Sequence, residues 1–119
     1  MKDDTLYLIH IGECIDRIES YTQGMAKEAF QAAEMVQDAV IRNLQTMAES
    51  TQRLSAKAKE SRPEIDWYKI AGFRNVLVHD YLGVDLEKIW AIVRNNLPIL
   101  KDAVDDMLGP DRPTRPARE

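Results

Sequence analysis

The sequence is poor in the residues that build the common nucleotide and metal sites. It has five glycines and no glycine-rich run, so the phosphate-cradling loops of P-loop and dinucleotide-binding enzymes have nowhere to sit. A single cysteine, Cys14, cannot close an intrachain disulfide. With only two histidines, His10 and His79, a structural zinc site lacks ligands, and neither a metal nor a cofactor is expected. An excess of positive charge is also missing. The formal net charge is −4, so no long basic face tracks a nucleic-acid backbone and any nucleic-acid chemistry must use a small, local site. No uninterrupted apolar stretch reaches the length of a signal peptide or a spanning helix, which predicts a cytoplasmic protein with no membrane segment.

What remains describes one folded unit. A length of 119 residues fits a single core, and 45% hydrophobic with 30% charged residues is too apolar for disorder. Leu8, Ile11, Ile15 and Ile18 recur at three- and four-residue intervals and predict a first helix from Asp4 to Ser20. Asp3 or Asp4 is its expected N-cap, and Gly24 marks the turn that follows. Lys27 to Lys59 contains neither proline nor glycine and carries Ala33, Val40, Met47 and Leu54 at seven-residue intervals. This reads as one helix of roughly 50 Å, whose stripe either packs on its own chain or in part meets a partner.

Pro63 interrupts the pattern. Asp66 then caps a third helix through Trp67, Ile70, Ala71, Phe73, Arg74 and Leu77, with Gly83 placed to stop it. Asp85 caps a fourth, with Leu86, Ile89, Trp90, Val93 and Leu97 on one stripe. Pro98 opens a fifth segment carrying Leu100, Val104 and Leu108, so the last two form a kinked rod or a pair. The predicted fold is all-α, an antiparallel bundle of four to five helices over residues 1–108. Residues 109–119 hold three of the five prolines and no large apolar side chain, which predicts a disordered tail.

One stretch concentrates chemistry. Arg74-Asn75-Val76-Leu77-Val78-His79-Asp80-Tyr81 brings a permanent cation with a planar fork for phosphate oxygens next to a side chain that exchanges protons near neutral pH. Metal-free phosphodiester cleavage requires both. At about 100° per residue, Arg74 and Tyr81 fall within about 20° of each other and Asn75 and His79 within about 40°, but Arg74 and His79 differ by about 140°. Either the helix distorts, or a second chain related by a two-fold axis completes the site. The helix C-terminus and Asp80 both favour a cationic imidazole at His79. Taken alone, His79 is more often a structural histidine, and Tyr81 an ordinary helix-end tyrosine with its hydroxyl in solvent. Asp38 with Arg42 and Glu49 with Arg53 are spaced as i, i+4 pairs, with Asp38 and Glu49 able to shape a rim. His10 has no spaced ligand partner and reads as structural or exposed.

The Arg-x-x-x-x-His-x-Tyr pattern at Arg74, His79 and Tyr81, set behind Trp67-Tyr68-Lys69-Ile70-Ala71-Gly72-Phe73, resembles the HepT family of HEPN-domain toxins. The likeness covers about residues 5 to 108. It departs at Ala33, where an acidic residue is expected, at Ala48-Glu49-Ser50, where the family has Gly-Glu-Ala, and at Asp66, where proline is common. What the resemblance implies is a homodimeric, metal-independent endoribonuclease of a toxin-antitoxin system. Arg74 and His79 of both chains would line a shared cleft, with Asn75 supporting the phosphate. It also implies an antitoxin partner, an MntA-type minimal nucleotidyltransferase that transfers AMP to Tyr81. The alternative is a non-catalytic helical subunit that binds such a nucleotidyltransferase.

Overall fold

The computed structural model describes the backbone of residues 2–79 and 85–109 and the side chains of residues 4–74 and 85–109. Among the described residues seven α-helices follow one another: α1 (Lys2–Thr22), α2 (Lys27–Gln31), α3 (Glu34–Arg53), α4 (Ala56–Glu60), α5 (Trp67–His79), α6 (Leu86–Ala91) and α7 (Leu97–Leu108). A π-helical turn, Ile92–Asn96, joins the last two. The described residues contain no strand. The chain fills 41 × 34 × 20 Å, and its short dimension is about two helix diameters, so each helix has a face at the surface.

α3 is the centre of the bundle. It packs on α1 along one side and on α5 along the other, and α7 lies against the opposite flank of α1. The cross-links give the directions. Asp4 of α1 meets Ser55 just after α3, and His10 meets Ser50, so partner numbers fall as α1 advances and the two helices run antiparallel. The α1 stripe Leu8, Ile11, Ile15 and Ile18 is buried as its spacing predicts. It meets Val40, Leu44 and Met47 from α3, and Leu97, Leu100 and Val104 from α7. Each large aliphatic group so buried contributes about 1.5–3 kcal/mol relative to exposure.

The single long helix expected from Lys27 to Lys59 is corrected: the chain bends twice. At Ala32–Ala33 the backbone leaves helical geometry, and Gln37 Nε2 donates to the carbonyls of Phe30 (2.8 Å) and Gln31 (3.0 Å) at the end of α2. The bend turns Phe30 fully inward, where its ring lies 5.1 Å from that of Trp90. Burying a phenyl ring outweighs the few helical hydrogen bonds given up, and Gln37 replaces part of those. At Leu54–Ser55 the chain bends again, and Ser55 Oγ accepts from Ala58 N as the N-cap of α4. The carboxylate of Asp4 holds this corner, accepting from Ser55 N at 2.8 Å and from Ser55 Oγ at 2.7 Å. Asp4 therefore lies inside α1 and serves the corner instead of capping its own helix.

The other boundaries follow their signals. Gly24 takes φ +76° in the turn after α1, Asp66 Oδ1 accepts from Lys69 N, and Asp85 Oδ1 accepts from Lys88 N. The kinked rod is real: Pro98, at the start of α7, has no N–H for the helical ladder, and the π turn lies immediately before it. α7 ends at Gly109, φ +50°. Gly83 and the tail from residue 110 onward lie outside the described residues.

Candidate active site on the fifth helix

α5 carries the motif, and its first turns are firmly placed. The Asp66 cap fixes its start. The indole of Trp67 then donates from Nε1 to the carbonyls of Lys59 (3.1 Å) and Arg62 (3.2 Å), tying α5 to the end of α4. Ile70 and Phe73 are buried against α3. Arg62 is held by Asp106 of α7 through an ion pair, so the loop before α5 is fastened to α7.

Arg74 follows on the flank of this buried face. Its Nε lies 3.8 Å from Glu49 Oε2 of α3, with the two side chains 47% and 53% exposed. Solvent screens such a pair to about 0–1 kcal/mol, so the guanidinium is oriented yet free to exchange its carboxylate for a phosphate. Glu49 thus pairs across the bundle, and the expected pair with Arg53 along its own helix does not form.

α5 remains α-helical without interruption from Trp67 to His79. Over the five residues from Arg74 to His79 the backbone therefore rises about 7.5 Å and turns about 140°. Helix distortion, one of the two ways to unite Arg74 and His79, is removed over this span. The side chains of Asn75 and His79 are not among those described, and Tyr81 and Asp80 lie outside the described residues altogether.

The remaining reactive groups serve packing. His10 Nδ1 and Ser50 Oγ share a 2.6 Å hydrogen bond, and His10 Nε2 lies 3.7 Å from Cys14 Sγ. Buried Ser50 is thereby given a partner. Cys14 is fully buried, and that burial pushes its thiol pKa up, with Arg17 opposing and Glu13 adding to the effect. Lys101 crosses from α7 to Asp16 (3.2 Å) and Glu19 (3.0 Å) on α1. Partial burial pulls its ammonium down, but these two carboxylates outweigh that and hold it above its ordinary value. An open groove lined by Asp4, Leu8, Lys57 and Arg62 includes no α5 residue, and its Asp4 and Arg62 are already engaged. No helix of the described residues is long and apolar enough to cross a membrane.

Comparison with known proteins decides the family. A family model described as "Ribonuclease HepT-like" matches residues 11–107. The chain belongs to the HepT-like ribonuclease family. Among its relatives, a protein of Thermococcus cleftensis named "Probable ribonuclease HepT" is 37% identical over 95 residues, covering 80% of this chain and 86% of that one. A gamma-glutamylcyclotransferase and candidate RNase of Methanocaldococcus jannaschii is 36% identical over 103 residues, 87% of this chain. The match spans only 46% of that longer protein. Another candidate RNase of the same organism is 29% identical over 104 residues, with 87% and 95% of the two chains covered. No solved structure matches. The HepT-like match takes in all of α3, α5 and α6, so the Glu49–Arg74 pair and the motif lie inside the family's own domain.

Proposed function

We propose that this HepT-like chain is a metal-independent endoribonuclease toxin whose active site is shared between two copies. The observation that supports this most directly is the unbroken α5. It presents Arg74 at the α3 seam with only an exposed carboxylate to displace, while His79 is carried about 140° around the same helix. A two-fold axis beside α5 supplies the second Arg74 and the second His79 that one straight helix cannot bring together.

The chemistry is in-line transesterification. The ribose 2′-oxygen bonds to phosphorus as the bond to the 5′-oxygen breaks, leaving a 2′,3′-cyclic phosphate and a 5′-hydroxyl. One His79 imidazole, neutral, takes the 2′-hydroxyl proton, and the other, protonated, delivers a proton to the departing oxygen. Arg74 faces the charge that grows on the non-bridging oxygens, and Asn75 supports the phosphate. Control is by a minimal nucleotidyltransferase that transfers AMP to Tyr81. A bulky phosphodiester there blocks RNA and competes for the guanidinium.

The test is expression of wild type, Arg74→Ala and His79→Ala without a partner, followed by cleavage of total RNA in EDTA. Growth arrest with cleavage, lost in both variants, is the expected result. Folded wild type that neither cleaves nor arrests growth would favour the alternative, a binding subunit for a nucleotidyltransferase. Incubation with that enzyme and ATP should add AMP to wild type and none to Tyr81→Phe.

A further inference from the structure

The outward row of α5 contains a feature that the proposed chemistry does not use. Tyr68 is 90% exposed, the most exposed of the large hydrophobic side chains described. It stands on the second residue of α5, where the Asp66 cap and the Trp67 anchor fix the backbone. By helical period Tyr68, Gly72, Asn75 and His79 form one row spanning about 60°, and Tyr68 and His79 lie within about 20° of each other. Buried Ile70 and Phe73 lie on the opposite side of the helix.

A Cβ added at Gly72 would meet nothing within 4 Å, so the surface beside Tyr68 is open at this position. His79 stands eleven positions after Tyr68, or about 16 Å along the axis. That is the reach of a few nucleotides of single-stranded RNA.

Charge argues for the same occupant. A chain of net charge −4 gains little from long-range attraction to RNA and needs a contact that does not depend on phosphate neutralisation. An exposed aromatic ring provides one, because every base has a face on which to stack. Lys69, the next residue and also exposed, can meet the adjoining phosphate.

The geometry points to Tyr68 as a base-stacking platform of an RNA subsite that runs along α5 through the open position at Gly72 to His79. This rests on the ribonuclease reading and extends it with a position that grips substrate away from the scissile bond.

The decisive probe is a fluorescein-labelled 2′-O-methyl oligouridine of about twelve nucleotides, within the site sizes that stacking proteins cover and unable to undergo 2′-hydroxyl attack. Binding to the full chain is measured by anisotropy, with sedimentation velocity on the same samples. Tyr68→Ala should weaken binding about ten-fold, and Tyr68→Trp should retain it. The slope of affinity against salt should be the same in both, because stacking releases no counterions. With cleavable RNA, Tyr68→Ala should raise KM with little change in kcat. Equal binding by wild type and Tyr68→Ala overturns the subsite and leaves the ribonuclease reading standing. A changed assembly state in Tyr68→Ala also overturns it and assigns the ring to a contact between copies. Wild type that neither binds the oligomer nor cleaves RNA overturns both.

Discussion

Glu49 Oε2 lies 3.8 Å from Arg74 Nε, across the seam between α3 and α5. The pair sets the orientation of the one motif cation whose side chain is described, and it does so with a group that carries the same sign of charge as the phosphate Arg74 is to receive. Glu49→Gln removes that competition. RNA affinity should rise by a few-fold, the amount an exposed pair supports, and thermal stability should move by less than about 0.5 kcal/mol. Anisotropy with an uncleavable oligonucleotide and a melting curve check both; weaker binding would show that the carboxylate orients the guanidinium more than it blocks it.

The corner between α3 and α4 should be sensitive to acid. The hydrogen bond from the Ser55 hydroxyl, with that from the Ser55 amide, holds the Asp4 carboxyl below its ordinary value, against the opposing effect of burial. The folded state therefore binds fewer protons than the unfolded state in that range. The stabilisation from Asp4 is present at neutral pH and is lost as pH falls through the lowered folded value. Wild type should lose stability over that interval, and Asp4→Asn should show a flatter profile in urea melts taken from pH 7 downward. Ser55→Ala, which removes the α4 cap, should cost about 1 kcal/mol at neutral pH.

Phe30→Ala should be among the most damaging single changes. It empties a fully buried site against Trp90, and such truncations cost about 3–5 kcal/mol. Loss of the near-ultraviolet circular dichroism that arises from Trp90, together with a lowered midpoint in urea, would register it. Gln37→Ala, which removes only the side-chain bonds to the α2 carbonyls, should cost less, about 1 kcal/mol.

Cys14 should be silent toward thiol reagents while the bundle is closed. It has no exposed surface, and burial keeps its thiol protonated to higher pH than usual; the thiolate is the reactive form. Labelling at pH 8 should therefore follow the rate of opening, accelerate in urea and be complete only on unfolding. Fast stoichiometric labelling in buffer would contradict this placement.

Much of the bundle is written in the hydrophobic period. The stripe on α1, the caps at Asp66 and Asp85 and the Pro98 kink all lie where local chemistry puts them, because each depends on neighbours within a turn or two. The bends in Lys27–Lys59 were not legible in this way. No proline or glycine marks them; they are stabilised by Phe30 reaching Trp90 sixty residues away and by Asp4 reaching Ser55, contacts that exist only after the helices pack. The same limit applies to the site. The spacing of Arg74 and His79 and the angle between them follow from the sequence and the straightness of α5, while the partner of Arg74 does not. Spacing assigns Glu49 to Arg53, whereas packing of α3 on α5 delivers it to Arg74. Only the acidic residue between Ala48 and Ser50, flagged as a rim position, hinted at this.

The tie between Lys101 and the acidic pair Asp16 and Glu19 joins residues more than eighty positions apart, and the flank of α1 that it guards is covered by α7 alone among the long helices packed there. The α1 stripe, covered first by α3, is therefore closed on this flank only once α7 has been released from the ribosome. Any activity that depends on the closed bundle is then withheld from the growing chain until α7 joins it.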